Sequence, residues 1–233
     1  MAQNDKIAVL SDFDGTILYV DTGALVLEKF GVGDWKIFDT KLEKGEISLE
    51  ECLSTQFGMI RAQKKEILDM IEQERLELRP DFHKLVEYCK GSNFPFMITS
   101  GGIDFCIEEV LRTHGFGDGL LNIHSGKSKY TEKGFTMTFP APSKKRSANF
   151  KEDLVNHYHD VGYKVVYIGD GVSDFEPSMK ADLVFTVNNS RLERMCHEKM
   201  IRHTSFGEFN QVVKGIKDWI SLLPDTKKME HLE

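Results

Sequence analysis

Short apolar runs alternate along the chain with longer segments in which apolar residues recur at helical spacing. Four of these runs have the length and composition of buried strands: Ile7–Leu10, Phe94–Thr99, Lys164–Ile168 and Leu183–Val187. Weaker patterns predict two further short strands, Leu120–His124 and Phe135–Phe139. Strong strands that alternate with helices predict an α/β fold, a Rossmann-like doubly wound parallel sheet.

Local signals mark the ends of several predicted helices. Ser48 and Glu51 have the spacing of a capping box, and Asn149 is a favoured residue before a helix over Phe150–Val161. A helix over Phe206–Leu222 closes the chain. These helices lie between or after the strands, as an α/β fold requires.

The segment between the first two strong strands is helical and longer than one crossover connection needs. We therefore predict a small helical cap over residues 19–79, inserted after the first strand. The α/β core would comprise residues 1–18 and 80–225. Residues 226–233 are polar and are predicted to form a frayed tail.

Composition excludes several classes of protein. The chain has 30 Lys and Arg against 37 Asp and Glu, a formal net charge of −7. This balance disfavours nucleic acid and anionic membranes as partners, because phosphate groups require a basic surface. No apolar run approaches the roughly 18 residues of a membrane span, and the start lacks a secretory pattern. The four cysteines have no CxxC spacing, so we expect reduced thiols and a cytoplasmic location.

A polar cluster follows three of the strong strands. These clusters are Asp12–Thr16, Thr99–Gly102 and Gly169–Asp174. The carboxyl ends of parallel strands open on one side of a sheet, where ligands bind. Clusters that are far apart in sequence are therefore expected to meet at one site.

Four carboxylates would lie at this predicted site: Asp12, Asp14, Asp170 and Asp174. They would repel one another in a partly desolvated cleft unless a cation neutralised them. Oxygen ligands without histidine or cysteine favour Mg²⁺ over zinc. One carboxylate could act as a covalent nucleophile, and a second could act as general acid and then base.

The second cluster has the features of an anion site. Ser100 is followed by Gly101 and Gly102, whose N–H groups a phosphate can approach closely at the start of the next helix. A phosphoryl group also needs a cationic partner such as a lysine. This cluster thus predicts a binding site for an anion such as a phosphate group.

The three clusters together carry a family resemblance. DFDGT (Asp12–Thr16), ITSGG (Ile98–Gly102) and IGDGVSD (Ile168–Asp174) resemble motifs I, II and IV of the haloacid dehalogenase-like phosphohydrolases. The resemblance covers about residues 6–222, with the insert in the position of a C1 cap. It implies a Mg²⁺-dependent phosphatase that works through an aspartyl-phosphate.

The resemblance also implies a role for each matching carboxylate. Asp12 would be the nucleophile and a metal ligand. Asp14 would be the general acid and base, and its backbone carbonyl would bind metal. Asp170 would bind the metal through its side chain. Asp174 would hold the groups that surround the metal, and Thr16 would support the first motif by hydrogen bonding. Asp174 is also a plausible N-cap of a helix over Phe175–Lys180.

The phosphate-binding residues follow from the same resemblance. Ser100 and Gly101 would bind the phosphoryl group. Lys151 matches the motif III lysine by its place at the start of a helix, and Lys144 and Lys145 are alternative candidates in the preceding loop.

Within the family, the chain resembles the phosphoserine phosphatase-like branch. Ser100–Phe105, Lys44–Gly58 and Asp21 are similar to methionine-salvage phosphatases that act on the enol phosphate 2-hydroxy-3-keto-5-methylthiopentenyl-1-phosphate. Phosphoserine phosphatases usually have Glu in place of Asp21 and a cap arginine near Thr55–Gln56, where this chain has none. Asp21 is expected to contact the leaving group and to contribute to substrate specificity.

Alternative functions use the same residues differently. The site could hydrolyse phosphoserine or another small metabolite, or it could transfer the phosphoryl group to a second hydroxyl. A phospho-binding module without activity is disfavoured, because Asp12 and Asp14 are both present. The histidines show no metal-binding spacing, since His157 and His159 face different sides of a helix and the others have no evident partner. A monomer or a homodimer is expected.

Overall fold

The computed structural model of the chain describes residues 6–117, 119–131, 134–142 and 147–223. These residues form the strands β1 (Ile7–Ser11), β2 (Phe96–Ser100), β3 (Asn122–Ser125), β4 (Lys127–Thr131), β5 (Gly134–Thr138), β6 (Lys164–Gly169), β7 (Leu183–Val187) and β8 (Thr204–Phe206). They also form the helices α1 (Thr22–Phe30), α2 (Ile37–Glu43), α3 (Leu49–Phe57), α4 (Lys64–Gln73), α5 (Phe82–Gly91), α6 (Asp104–Thr113), α7 (Phe150–Asp160), α8 (Phe175–Lys180), α9 (Arg191–Glu198) and α10 (Phe209–Leu222).

Six strands form a parallel sheet in the order β3-β2-β1-β6-β7-β8, and β4 and β5 form a separate antiparallel hairpin. In the central strand β1, Ser11 is in register with Ile98 of β2 and with Ile168 of β6. The chain progresses outward in opposite directions from β1, which makes the end of β1 a topological switch point. The predicted doubly wound α/β fold is confirmed.

Both faces of the central strands are buried, because side chains alternate across the sheet. Val9 of β1 and Val166 of β6 belong to the larger hydrophobic core. Leu10 and Tyr167 face the other side, where they pack with Leu154 of α7. This two-sided burial fixes the register of β1 and β6, and with it the positions of the residues that follow them.

The helices α1–α4 occupy the segment between β1 and α5 for which a cap was predicted. Their starts are fixed locally: Asp21 accepts a hydrogen bond from the Ala24 N–H, and Ser48 accepts one from the Glu51 N–H. Helix α3 packs against β5 of the hairpin. The division into a cap and a core stays a prediction.

The strong strands lie within two residues of their predicted bounds, whereas β4 and β8 were not predicted. β4 has the sequence KSKYT, without apolar alternation, and β8 has three residues at the edge of the sheet. The predicted tail, 226–233, lies outside the described residues. No helix in the described part of the chain is both long and apolar enough to cross a bilayer.

Candidate active site

A pocket of about 470 Å³ opens at the carboxyl ends of β1, β2 and β6. Most of the residues predicted for the site lie in its lining: Asp12, Asp14, Asp21, Ser100, Gly101, Lys151 and Asp170. Asp174 is fully buried directly behind them. The structure therefore brings all the predicted site residues together at the switch point of the sheet.

Asp12 leaves β1 and is almost completely buried. Its Oδ1 accepts the Phe13 N–H at 2.8 Å and lies 3.0 Å from Lys151 Nζ. Burial and the charges of Asp174 and Asp170 raise the pKa of Asp12 well above its usual range, although Lys151 opposes this shift. Oδ2 has no hydrogen-bond partner among the described residues, so this oxygen is free to face a ligand.

Asp14 is held by Thr22 at the start of α1. Its Oδ1 accepts hydrogen bonds from the Thr22 N–H at 2.9 Å and the Thr22 hydroxyl at 2.8 Å. Burial and the charge of Asp21 raise the pKa of Asp14 to about 7. The other oxygen, Oδ2, approaches Gly102 so closely that a Cβ at that position would collide with it.

Lys151 lies in the first turn of α7 and is fully buried between two carboxylates. Its Nζ lies 2.8 Å from Asp174 Oδ1, 3.0 Å from Asp12 Oδ1 and 3.0 Å from Ser173 Oγ. Burial alone would lower the pKa of Lys151, but the charges of Asp12 and Asp174 outweigh burial and raise it. Lys144 and Lys145 lie outside the described residues.

Asp174 uses both carboxylate oxygens within the protein. Oδ1 accepts from Lys151 and from the Tyr167 hydroxyl at 2.8 Å, and Oδ2 accepts from the N–H groups of Asp170 and Gly171. Burial raises its pKa, but the charge and hydrogen bond of Lys151 outweigh burial, and the net shift is downward. Asp174 is the N-cap residue of α8, as predicted, but its side chain makes no capping hydrogen bond to that helix.

Asp170 follows β6 and faces the loop after β1. Its Oδ1 accepts the Thr16 hydroxyl at 2.7 Å. Burial and the charge of Asp174 raise the pKa of Asp170 to about 7. Gly15 has a φ of +74°, and a Cβ there would overlap the Asp170 carboxylate, so the close approach requires glycine.

Ser100 ends β2 and is fully buried. Its Oγ accepts the Gly102 N–H at 3.0 Å, which leaves the hydroxyl hydrogen available for an anion in the pocket. Gly101 lines the same side of the pocket. This corner of the site thus presents a hydrogen-bond donor opposite Asp12 and Asp14.

The wall that faces the sheet comes from the segment between β1 and α5, and it contains apolar residues together with the polar residues Asp21, Asp39 and Gln56. Its apolar members are Ala24, Leu27, Trp35, Leu49, Leu53 and Phe57. Asp21 lines the pocket while it caps α1. Arg191 of α9 also lines the pocket, and its Nη1 donates to Glu43 Oε1 of α2 at 2.7 Å.

Several contributors were missed by the sequence analysis, among them Thr22, which holds Asp14. Arg79 donates from Nε to the Thr16 carbonyl at 2.8 Å and from Nη2 to the Gly15 carbonyl at 2.9 Å, and so braces the loop after β1. Tyr167 and Arg191 contact Asp174 and the pocket, respectively. No motif marks Arg79 or Arg191. The alternation of β6 could have placed Tyr167 on the face of the sheet that packs against α7.

The donor set fits a hard divalent cation. One carboxylate oxygen from each of Asp12, Asp170 and Asp174 lies within 4.8 Å of the others. Each Asp174 oxygen already accepts two hydrogen bonds, which leaves it no lone pair for an ion. The available ligands are therefore Asp12, Asp170 and the Asp14 carbonyl, which accepts no backbone hydrogen bond within the described ranges. All are oxygen atoms, the ligands that Mg²⁺ prefers.

The chain belongs to the haloacid dehalogenase-like hydrolase family, since the model of that family matches residues 9–176. The resemblance drawn from the three motifs is thereby confirmed. The matched region contains every site residue that the sequence predicted, from Asp12 to Asp174, whereas Arg191 lies beyond it.

Curated relatives are similar over nearly the whole chain. The 2-hydroxy-3-keto-5-methylthiopentenyl-1-phosphate phosphatase of Brevibacillus brevis is 27% identical over 214 residues, which cover 90% of this chain and 94% of the relative. An enzyme of the same name from Bacillus thuringiensis subsp. konkukian is 27% identical over 219 residues, 91% of this chain and 96% of the relative.

Solved structures share the fold at lower identity. A phosphoserine phosphatase in a phospho-aspartyl intermediate analogue state matches with a TM-score of 0.67 and 16% identity, covering 91% of this chain and 99% of that chain. Cytosolic 5'-nucleotidase IIIB bound to cytidine matches with a TM-score of 0.60 and 14% identity, covering 93% and 86%.

Proposed function

We propose that this chain is a Mg²⁺-dependent phosphomonoesterase that hydrolyses a small phosphorylated metabolite through an aspartyl-phosphate. The observation that carries the proposal is the convergence of Asp12, Asp14, Lys151 and Asp170 on one pocket, beside the hydroxyl of Ser100. We place the enzyme in the cytoplasm, as a monomer or homodimer.

Asp12 is the nucleophile in the first step. Its Oδ1 is engaged by Phe13 and Lys151, so Oδ2 is the atom that attacks phosphorus. A bond forms between Oδ2 and phosphorus as the bond from phosphorus to the leaving oxygen breaks. Lys151 and the Ser100 hydroxyl hold the phosphoryl oxygens as their charge is redistributed.

Asp14 supplies and then removes a proton. Thr22 occupies its Oδ1, so Oδ2 donates the proton to the leaving oxygen. In the second step the same oxygen takes a proton from water, which attacks phosphorus, breaks the bond to Asp12 and releases inorganic phosphate. A pKa of about 7 suits a group that must both give and accept a proton near neutral pH.

Asp12, Asp170 and the Asp14 carbonyl would hold the Mg²⁺ ion. When bound, the ion neutralises the clustered carboxylates and the phosphate and stabilises charge on the phosphoryl oxygens. Asp174 would keep Lys151 and the backbone around Asp170 in place, because its two oxygens contact both.

The enol phosphate of methionine salvage is the proposed substrate. Relatives that match over nine-tenths of this chain carry that activity in their names. The apolar side chains in the wall above the site, such as Leu27 and Phe57, suit a leaving group with a hydrophobic tail. Phosphoserine is the second candidate because of the fold similarity. Arg61 is the arginine nearest in sequence to the position of the cap arginine in phosphoserine phosphatases. It donates to the carbonyls of Gly58 and Ile60, however, and does not line the pocket.

Phosphate release from a panel of compounds tests the proposal. The panel contains the enol phosphate, phosphoserine, sugar phosphates, pyridoxal phosphate and nucleotides, each with Mg²⁺ or with EDTA. We expect rapid release from the enol phosphate, lost in EDTA and in Asp12→Asn and Asp14→Asn. Asp218→Asn is the matched control, since this carboxylate pairs with Lys214 on the surface of α10.

The remaining outcomes have distinct meanings. Turnover of phosphoserine alone would replace the substrate assignment but keep the phosphatase. Activity that survives Asp12→Asn would overturn the aspartyl-phosphate mechanism. Consumption of a substrate without phosphate release, together with a newly phosphorylated acceptor, would identify a phosphotransferase.

A further inference from the structure

A second group of metal-binding side chains lies outside the pocket, around the end of α9. Glu193 and His197 are four residues apart on this helix and therefore share a face. His203 lies between α9 and β8. One ligand atom from each of the three residues lies within 4.8 Å of the others. No partner for these histidines was evident from the sequence.

The surrounding hydrogen bonds orient two of these ligands. His203 Nδ1 lies 2.8 Å from the Ile201 carbonyl, which can only accept, so Nδ1 carries the proton and Nε2 keeps its lone pair. A histidine held in this way is typical of metal ligands, whose second nitrogen donates to a carbonyl or carboxylate.

Hydrogen bonds also orient the Glu193 carboxylate. Its two oxygens accept hydrogen bonds from the Ser205 hydroxyl of β8 and from the Asn189 N–H. Both oxygens thus accept hydrogen bonds, as the carboxylate form required of a metal ligand does. Each oxygen retains a lone pair for a cation.

His197 is the third member of the group. Its ring stands nearly perpendicular to that of His203, with the centroids 4.6 Å apart. Neither of its ring nitrogens forms a hydrogen bond within the described part of the chain. The side chain is exposed, so it can rotate to bring its nitrogen to the spacing of a tetrahedral ion's ligands.

We propose that Glu193, His197 and His203 form a binding site for a divalent transition metal ion of the Zn²⁺ type, separate from the active site. Two imidazoles and one carboxylate are a zinc ligand set, with a fourth position left for water. Mg²⁺ is excluded from this site because it prefers oxygen ligands. The two ion sites of the molecule therefore select different metals.

Binding would fasten the end of α9 to the segment that enters β8. That segment includes Met200, which is 91% exposed and has a φ of +55°, so little packing holds it. At its other end, α9 carries the Leu192 N–H, which donates to the Asp170 carbonyl at 2.7 Å. The ion would act as a structural clip on a helix that contacts the active-site backbone.

Zinc titration of the full chain without an affinity tag, in saturating Mg²⁺, tests the proposal. We expect one tightly bound Zn²⁺ by calorimetry, and a Co²⁺ complex with the absorption of a tetrahedral site. His197→Gln and His203→Gln should each weaken Zn²⁺ binding by about 100-fold, because even residues outside the ligand set change affinity 10- to 100-fold. His157→Gln is the matched control, an exposed histidine on α7.

A rescue variant separates loss of a ligand from loss of structure. His203→Cys should restore binding, since a thiolate is a good zinc ligand, whereas His203→Gln should not. All variants should melt at the wild-type temperature in EDTA, and only wild type and His203→Cys should melt higher with Zn²⁺. Equal Zn²⁺ affinity in wild type and His197→Gln/His203→Gln, or no binding by wild type, would overturn the site.

Discussion

At the scale of single residues, the site contains buried charges, each of which is stabilised by an opposite charge next to it. Lys151 is the cation common to Asp12 and Asp174, and its side chain is 1% exposed. Removing one member of such a group leaves the others as uncompensated buried charges. The lysine is therefore expected to matter for folding as well as for phosphate binding.

Lys151→Ala should abolish phosphatase activity and lower the free energy of unfolding by about 3–5 kcal/mol. Urea unfolding followed by circular dichroism measures the second quantity. Lys214→Ala is the control, because its ion pair with Asp218 is exposed and such pairs contribute at most about 1 kcal/mol. Equal losses in the two variants would contradict the buried-charge argument.

Gly15→Ala should weaken Mg²⁺ binding as well as stability, because a Cβ there would displace the Asp170 carboxylate. The left-handed backbone alone costs an alanine about 1–2 kcal/mol. Gly45→Ala isolates that cost, since Gly45 has a φ of +69° and nothing within 4 Å of its Cβ position. Titrating activity with Mg²⁺ should show a weaker apparent affinity for Gly15→Ala and an unchanged one for Gly45→Ala.

At the scale of elements, two carboxylates of the predicted cap contact core helices that carry residues of the site. Glu50 of α3 accepts the Phe150 N–H at 2.7 Å, in the first turn of the helix that carries Lys151. Glu43 of α2 pairs with Arg191 at the start of α9. The N–H of Phe150 would have no partner within α7, because the first N–H groups of a helix never do.

Glu50→Ala should lower the free energy of unfolding by about 1–2 kcal/mol, since it leaves a buried donor unpaired. It should also slow turnover through the neighbouring Lys151. Glu43→Ala should change stability much less than Glu50→Ala, because both partners of its ion pair are exposed. Chemical unfolding and steady-state kinetics on both variants check this order, and a larger effect of Glu43→Ala would reverse the argument.

The strands that could be predicted from the sequence are those in which burial leaves an apolar pattern along the chain. The central strands have continuous apolar runs because both faces are covered, and the residues after them could be assigned to one edge of the sheet on that basis alone. β4 and β8 depend on pairing with a neighbour, which leaves no pattern in KSKYT or in three residues. Arg79 braces the loop after β1 from 63 residues away, a contact that only the folded chain defines.

At the scale of the whole molecule, the carboxylates oppose folding unless a cation or protons neutralise them. In the metal-free protein the pKa of Asp170 rises from 3.8 to about 7, with burial as the main cause, and that of Asp14 rises similarly. Between these values the folded state binds more protons than the unfolded state, so the free energy of unfolding falls as pH increases.

In EDTA, the melting temperature should therefore fall from about pH 5 to about pH 7, within the window between the ordinary pKa of 3.8 and the folded-state pKa of about 7. Mg²⁺ should raise the melting temperature most at the upper end of this range, where the carboxylates are ionised. Asp170→Asn should reduce both effects. Differential scanning fluorimetry on the two proteins, with EDTA or Mg²⁺ at each pH, measures them; a melting temperature in EDTA that rises with pH would contradict the prediction.

The strand order of the sheet has a consequence for how the chain is made. β1 is synthesised first, yet it occupies the centre, and its partners β2 and β6 begin at Phe96 and Lys164. Until the later strand leaves the ribosome, one edge of an apolar strand stays unpaired, which invites aggregation. A chain that stops before β6 therefore has the nucleophile but neither Asp170 nor the strand that would bury β1, so the active site can form only after β6 and the loop behind it have been synthesised.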